Sequence, residues 1–308
     1  TAEQEAKITV RHQLTMTTGL DDRVEDNHCT LDSCLLFLAE PGNRWAYHNA
    51  PYTLLEKVLE NATGKDINVY TQQKLKTPTG MTGLWATIDY DNVYFSKTRS
   101  MARFGLLVQN GGVWNRDTLL KDREYFTAMI NTSNEINQSY GYLWWLNGKS
   151  NHMLPGIQFP FKGSWAPDAP ADMFAAMGKN GQILCIVPSR GLVMVRMGNP
   201  GSSPMSEIGV FLCNMIWQKL NAVICNETAV AGIAAGAIPV RIFPNPSQGQ
   251  FFVTGYEGDA EIFNSSGSKI WQGVVNPGQP TSFSGFQSGI YWLKTRSGAV
   301  KFVLQDSK

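Results

Sequence analysis

The sequence predicts an α+β region of helices and antiparallel strands, followed by a small all-β sandwich. Three observations lead to this prediction. Residues 1–220 mix helical apolar periodicity with a few apolar strands, residues 221–239 are small and apolar, and residues 240–308 contain only short strand patterns. We therefore expect two folded regions joined by a linker, which agrees with a length of 308 residues.

Helices are predicted in the first half of the chain. Thr9 precedes a short helical segment as its N-cap, and this helix is expected to end by Gly19. Asn49 opens the next helix, which has a first-turn proline and apolar residues at helical spacing until Gly64. A third helix is predicted near residues 100–110, where a glycine pair ends it.

Strands are predicted next. Residues 142–146 are an aromatic strand, and residues 183–188 and 192–197 flank a Ser-Arg-Gly turn as a hairpin. Ser203 and Pro204 are then expected to cap a last helix. A helix that follows a hairpin can pack across the sheet, which gives the α+β arrangement.

The region after residue 240 has a different sequence pattern. Its apolar segments are short and are separated by clusters of Ser, Gly, Asn and Pro, as in a small sandwich. The predicted strands are 251–253, 260–263, 269–275, 290–294 and 300–304.

Composition excludes several classes of protein. The net charge of +1 argues against a basic nucleic-acid binder, so we expect no nucleic-acid partner. The hydrophobic fraction of 43% exceeds the charged fraction of 17%, which rules out general disorder. The longest uncharged apolar run, Thr228 to Val240, is shorter than the ~20 residues of a membrane helix, so no transmembrane segment is expected.

Two of the five cysteines, Cys29 and Cys34, lie close together in the sequence. Cys29 and Cys34 follow His28, but one cysteine pair and one histidine make a poor zinc set, so no metal is expected. A local Cys29–Cys34 disulfide or a pair of thiols is favoured instead. Cys185 lies in an apolar strand and is expected to be buried.

Common catalytic motifs are absent from the sequence, including GxSxG, HExxH, Walker and GxGxxG patterns. An ordered set of weaker motifs remains. It consists of Ile8-Thr9-Val10-Arg11-His12 with a later Thr-Gly-Leu, Tyr47-His48-Asn49 before a helix, Tyr140 to Trp145, and Gly178 to Gln182 before the hairpin strands.

This order resembles the serine β-lactamase and penicillin-binding-protein superfamily, in its class C-like branch of esterases, D-amino-acid peptidases and amide-oligomer hydrolases. The resemblance covers about residues 5–220 and implies a partial β-lactamase/transpeptidase-like fold. It aligns the family's Tyr-x-Asn motif with Tyr47 and Asn49. Tyr47 would deprotonate the nucleophile and later protonate the leaving group, and Asn49 would hold the substrate carbonyl or the active-site lysine.

Local chemistry leaves an alternative open for this motif. Nearby cations and the N-terminus of a helix would favour the Tyr47 phenolate. From local sequence alone, however, the favoured interpretation is that Asn49 is only a helix N-cap and Tyr47 only a hydrophobic staple.

The resemblance also assigns the family's third motif to Lys179-Asn180-Gly181. Lys179 would place positive charge beside Tyr47, Asn180 and Gly181 would adjoin the substrate, and the Gln182 backbone N–H would form half of the oxyanion hole. The alternative is an ordinary polar turn. Trp144 is expected in the wall of the substrate cleft or in the core.

The family's first motif, Ser-x-x-Lys, has no counterpart in this region. The one match in the chain, Ser266-Gly267-Ser268-Lys269, falls in a predicted turn of the sandwich, after the other motifs instead of before them. We therefore expect the chain to be the C-terminal portion of a larger hydrolase. On its own it would lack the nucleophile and be inactive.

Residues 240–308 resemble the type A C-terminal sorting domain of proteins exported by the type IX secretion system of Bacteroidota. The matching features are Ile242-Phe243-Pro244-Asn245-Pro246, residues 260–264, and residues 288–294. The resemblance implies the type IX secretion machinery as a partner and a secreted or cell-surface location. A generic β-sandwich appendage is the alternative. Export to an oxidising compartment would permit Cys29–Cys34 and also Cys213–Cys225 disulfides.

The sequence thus predicts a secreted serine hydrolase that acts on amide or ester bonds through an acyl-enzyme, with no cofactor. Two alternatives are a D-Ala-D-Ala carboxypeptidase or β-lactamase, and a non-catalytic, surface-displayed binding protein on the same fold.

Overall fold

The computed structural model describes residues 2–199, 209–224, 240–282 and 287–305. The chain divides into two compact units, Thr1–Ile224 and Cys225–Lys308. The last helix of the first unit continues to Val223, so its end lies beyond residue 220. The predicted cap at Ser203 and Pro204 lies outside the described residues, and Gly209 is the N-cap residue of this helix.

Helices of the first unit are mostly short. A π-helical turn, Gln72–Lys76, and a 3₁₀ turn, Pro188–Arg190, accompany them. The α-helices are α1 (Ala2–Glu5), α2 (Val10–Leu14), α3 (Asn49–Thr53), α4 (Leu55–Thr63), α5 (Ile67–Thr71), α6 (Thr77–Thr79), α7 (Thr98–Gln109), α8 (Arg123–Met129) and α9 (Val210–Val223).

Local signals set several helix ends. The Thr9 hydroxyl accepts the His12 backbone N–H, and His12 Nδ1 in turn accepts the Thr9 backbone N–H, so the predicted N-cap forms a capping box. The predicted helix from Asn49 to Gly64 is two helices, α3 and α4, which meet at Leu54, and α4 ends at Gly64, in the left-handed region at φ 65°, as predicted. His48, not Asn49, is the N-cap residue, and it makes no side-chain cap bond.

The strands of the first unit form one four-stranded antiparallel sheet and several two-stranded ribbons. The sheet order is β10-β9-β8-β5, with the predicted hairpin at β9 and β10. The strands are β1 (Gly83–Ile88), β2 (Asp91–Ser96), β3 (Val113–Trp114), β4 (Asp117–Thr118), β5 (Trp145–Leu146), β6 (Asn151–His152), β7 (Phe161–Lys162), β8 (Phe174–Gly178), β9 (Gln182–Val187) and β10 (Leu192–Arg196).

Two apolar clusters cover the two faces of this sheet. Because side chains alternate along a strand, Ile183, Cys185 and Val187 of β9 enter one cluster, which also contains Trp217 of α9. Leu184 and Ile186 enter the other cluster, against which α7 packs. The helix after the hairpin therefore covers the sheet, which confirms the predicted α+β arrangement.

The second unit is all-β, as predicted. A three-stranded sheet in the order β11-β12-β15 and a four-stranded sheet in the order β14-β13-β16-β17 enclose an apolar core that includes Phe251, Leu293 and Phe302. The strands are β11 (Arg241–Phe243), β12 (Gln250–Thr254), β13 (Gly258–Asn264), β14 (Lys269–Val275), β15 (Pro280–Ser282), β16 (Gly289–Thr295) and β17 (Gly298–Leu304). The sequence had not predicted β11 and β15, which are only three residues long.

Among the described residues, no helix has both the length and the apolar composition needed to cross a bilayer.

Candidate active site

A cleft of about 400 Å³ opens in the first unit, with walls that are mainly aromatic and aliphatic. It brings together the turn before α3, the segment before β5 and residues of strands β8, β9 and β10. The lining residues that bear on chemistry are Tyr47, Tyr52, Tyr140, Gly178, Gln182 and Arg196.

Tyr47 is held by aromatic packing at this cleft. Its ring stacks on Trp145 at a centroid distance of 6.0 Å and meets Tyr140 edge-on at 6.4 Å. Its hydroxyl has no hydrogen-bond partner among the residues that the structure describes. Burial raises the pKa of Tyr47 well above its ordinary value, and the neighbouring Tyr52 and Asp91 raise it further. Tyr47 is therefore a neutral phenol here, which differs from the expectation that local charge would favour its phenolate.

The amide nitrogen of Asn49 bonds to two residues of the loop that precedes α3, and Asn49 is not among the residues that line the cleft. Its Nδ2 donates to Asn27 Oδ1 and lies 3.1 Å from His28 Nε2. The Asp91 carboxylate can only accept a hydrogen bond, so the Nδ1–H of His28 donates to Asp91 Oδ1 at 2.7 Å, and His28 Nε2 accepts from Asn49 Nδ2. This chain of bonds fixes the orientation of the Asn49 amide.

Lys179-Asn180-Gly181 forms the turn between β8 and β9, with positive φ at Asn180 (62°) and Gly181 (73°). Arg196 anchors this turn, because its Nη1 donates to the backbone oxygens of Gly181 at 2.9 Å and Asn180 at 3.2 Å. The Gln182 amide bonds both backbone groups of Gly198. The motif is thus a tight turn at the end of the sheet, with Lys179 exposed.

Gly181 is packed against side chains of the protein itself. A Cβ at Gly181 would lie 3.0 Å from Leu212 Cδ2 and 3.1 Å from Arg196 Nη1, so protein atoms already fill the space beside it. Its positive φ is the second reason for glycine at this position.

Trp144 lies in the core and not in the cleft wall. It is 5% exposed and packs against Phe104 and Phe174 on the α7 side of the sheet. Its neighbour Trp145 points to the opposite face, where it supports Tyr47. Of the two expected positions for Trp144, the core is therefore correct and the wall of the substrate cleft is wrong, and Trp145 is the residue that packs on Tyr47.

The cysteines confirm one expected pairing and correct another. Cys29 and Cys34 form a disulfide. Cys213 is a free, buried thiol next to Cys185, because α9 turns it inward onto β9. The predicted Cys213–Cys225 disulfide is therefore not formed in the structure, and Cys225 itself lies outside the described residues.

The sequence prediction missed several residues of the site. Tyr52 follows Asn49 by three positions, which places both residues on one face of a helix. That spacing could have identified Tyr52 as a residue of the site. His28 and Asp91 are 63 positions apart, and no local pattern links them. Arg196 is the last residue of β10, and only the folded turn shows that its guanidinium contacts residues 180 and 181.

Two family models match the chain. Residues 1–208 match the Beta-lactamase family. Residues 241–305 match the secretion system C-terminal sorting domain, which indicates export to the cell surface or the medium. No curated protein matches the chain.

Solved structures share the fold at low sequence identity. A protein described as a 6-aminohexanoate-dimer hydrolase from Bacillus anthracis has 18% identity and a TM-score of 0.50, over 70% of this chain and 62% of that one. A protein described as a beta-lactamase from Bacteroides dorei has 15% identity and a TM-score of 0.52, over 70% and 72% of the two chains. A Mycobacterium bovis beta-lactamase has 17% identity and a TM-score of 0.50, over 70% and 74%. The chain thus spans less than two thirds of the Bacillus anthracis protein.

Proposed function

Because this chain belongs to the beta-lactamase family, we propose that it is the C-terminal portion of an exported serine hydrolase that cleaves amide or ester bonds through an acyl-enzyme. The observation that supports this proposal is the cleft, whose lining includes both Tyr47 and Gln182 from distant parts of the chain. An apolar cavity with a few convergent polar groups is the usual form of a small-molecule site.

Tyr47 is the proton-transfer group in this proposal. As a neutral phenol on the cleft wall, it is ready to donate a proton to the leaving group. To act as a base toward the nucleophile it needs a nearby cation, because positive charge stabilises the phenolate and lowers the pKa. Lys179 and the lysine of a Ser-x-x-Lys segment would supply that charge.

The turn between β8 and β9 supplies the remaining groups. The Gln182 backbone N–H would donate one hydrogen bond to the oxyanion, and Asn180 and Gly181 would adjoin the substrate. Asn49 would use its carbonyl oxygen toward substrate or lysine, since its Nδ2 already donates to Asn27 and His28. Arg196 holds the turn rigid and so keeps the N–H in position.

The nucleophile must come from residues outside these 308. The one Ser-x-x-Lys match is occupied elsewhere: Ser266 Oγ donates to Asn264 Oδ1 at 2.7 Å, and Lys269 pairs with Glu261 at 3.0 Å. It also lies in the second unit, on a different fold. The 308-residue chain alone is therefore expected to be inactive.

The test compares two proteins on p-nitrophenyl esters: the 308-residue chain, and the polypeptide as its gene encodes it. The proposal expects an in-frame Ser-x-x-Lys segment upstream of Thr1 and hydrolysis by the encoded polypeptide only. Tyr47→Phe should then remove nearly all turnover, whereas Tyr125→Phe, at a tyrosine outside the cleft, should retain it. Full turnover by Tyr47→Phe would refute the role of Tyr47.

Two other outcomes identify the alternatives. Turnover of D-Ala-D-Ala peptides or β-lactams in preference to simple esters would indicate a carboxypeptidase or β-lactamase. An encoded polypeptide without Ser-x-x-Lys and without turnover would indicate a surface-displayed binding protein that keeps the fold.

A further inference from the structure

Cys185 and Cys213 lie in direct contact inside the first unit. Cys185 is on β9, Cys213 is on α9, and both side chains are 0% exposed. Their sulfur atoms are 3.4 Å apart, which is closer than two sulfur atoms in ordinary van der Waals contact. Neither thiol belongs to the cleft.

The rest of the molecule points to an oxidising destination. The Cys29–Cys34 disulfide is formed, and residues 241–305 match an export-sorting domain. Disulfides form and persist in such compartments. We propose that Cys185 and Cys213 are joined by a second disulfide in the exported protein, which ties α9 to the strand that begins at Gln182.

The reaction is two successive thiol–disulfide exchanges with an oxidised dithiol protein of the cell envelope. The thiolate of one cysteine attacks the donor's disulfide, which forms a mixed disulfide and releases one donor thiolate. The second cysteine thiolate then attacks its partner's sulfur and releases the other donor thiolate. The two protons lost by the cysteines end on the donor, which is reduced by two electrons.

Burial places this oxidation before the core closes. No donor protein can reach sulfur atoms that are fully buried. In the folded state, the contact with Cys213 and burial also raise the pKa of the Cys185 thiol well above its ordinary value, so little reactive thiolate is present. The bond therefore forms while β9 and α9 are still assembling.

The crosslink would stabilise the turn of the candidate active site that precedes β9. Cys185 is three residues after Gln182 on the same strand, and Leu212, next to Cys213, lies against Gly181. A covalent tie at this point restricts the movement of α9 away from the turn that carries Lys179 and Gln182. It also constrains the unfolded chain, which is the usual way in which a disulfide stabilises.

The decisive experiment is disulfide mapping of the 308-residue chain. The protein is reduced, denatured and refolded with oxidised glutathione, then denatured again without reductant, alkylated with N-ethylmaleimide and digested. We expect a Cys185–Cys213 linked peptide by mass spectrometry and a single alkylated cysteine, Cys225. Alkylation of both Cys185 and Cys213, or a Cys213–Cys225 peptide, would overturn the proposal.

Two controls sharpen the result. Cys225→Ser removes the third candidate thiol and should leave the Cys185–Cys213 peptide unchanged; its loss would overturn the assignment. Protein that is first folded with reductant and then given oxidised glutathione should keep both thiols over the same time. Equally fast oxidation of the folded protein would contradict the order of events.

Discussion

His48 offers a prediction that tests the packing around the candidate active site without any need for turnover. The residue sits between Tyr47 and Asn49, is 2% exposed, and neither of its ring nitrogens has a hydrogen-bond partner among the described residues. Burial lowers the pKa of His48 from 6.5 to about 4, Arg44 lowers it further, and Asp22 opposes the shift. The imidazole is therefore neutral at pH 7.

The magnitude follows from the two pKa values. Each pKa unit corresponds to about 1.4 kcal/mol, so the difference between 6.5 unfolded and about 4 folded amounts to about 3 kcal/mol. Between these pH values the unfolded chain binds more protons than the folded one. Stability is therefore complete above pH 6.5, falls as the pH decreases, and has lost this amount below pH 4.

We predict that His48→Leu removes this pH dependence. Leucine has a similar volume and no polar atoms, and the buried ring nitrogens of His48 make no bonds that it would break, so the variant should be as stable as the wild type at pH 7. As the pH falls from 7 to 4, the free energy of unfolding of the wild type should drop by about 3 kcal/mol more than that of the variant.

The assay is urea unfolding followed by tryptophan fluorescence at a series of pH values. All tryptophans except Trp271 and Trp292 belong to the first unit, so the signal reports mainly on that unit. All other ionisable groups are common to both proteins, so their contributions cancel in the difference. Parallel stability curves for wild type and variant would refute the reasoning, because they would show that the folded protein solvates the charged ring.

Three further predictions concern stability. Asn147→Ala should lower the free energy of unfolding by about 1–3 kcal/mol, because it removes the buried amide that accepts the Ala166 backbone N–H and leaves that buried N–H without its acceptor; urea unfolding measures this. Phe302→Ala should cost about 3–5 kcal/mol and remove hydrogen-exchange protection from β16, since the ring is fully buried. Gly19→Ala should cost more than about 2 kcal/mol, because φ is +78° and a Cβ would overlap the Ala39 carbonyl oxygen.

Each of these has an outcome that would contradict it. Gly64 also has positive φ but nothing within reach of a Cβ, so Gly64→Ala is the matched control, and an equal cost at both glycines would deny the steric clash. An Asn147→Ala variant as stable as the wild type would mean that water replaces the amide. Retained protection of β16 in Phe302→Ala would mean that the core of the second unit adapts to the cavity.

The order of motifs was enough to predict the fold of both units. Helix ends at Thr9 and Gly64 and the hairpin of β9 and β10 followed from local rules on capping and turns, which depend only on nearby residues. The strand was predicted over residues 142–146, but in the structure it comprises only Trp145–Leu146. The positive φ of 61° at Leu143 interrupts the extended backbone before it.

The site could be predicted only in part. Tyr47 and Gln182, which the sequence singled out, both line the cleft, and their roles stay predictions. The choice between Trp144 and Trp145 depends on which face of the sheet each residue meets, and alternation alone does not decide that. The burial that raises the pKa of Tyr47 could not be predicted, because the side chains packed on its ring, Tyr140 and Trp145, lie far along the chain. The contact of Cys213 with Cys185 likewise arises only when α9 packs on the sheet.

The most direct test of the central claim is to identify the residue that an acylating probe modifies. The polypeptide as its gene encodes it is treated with a fluorescent fluorophosphonate, and the labelled peptide is identified by mass spectrometry. We predict one label, on the serine of a Ser-x-x-Lys segment upstream of Thr1, that is strongly reduced in Tyr47→Phe and absent from the 308-residue chain. A label on Ser266, or no label on a folded polypeptide that carries such a segment, would contradict the account.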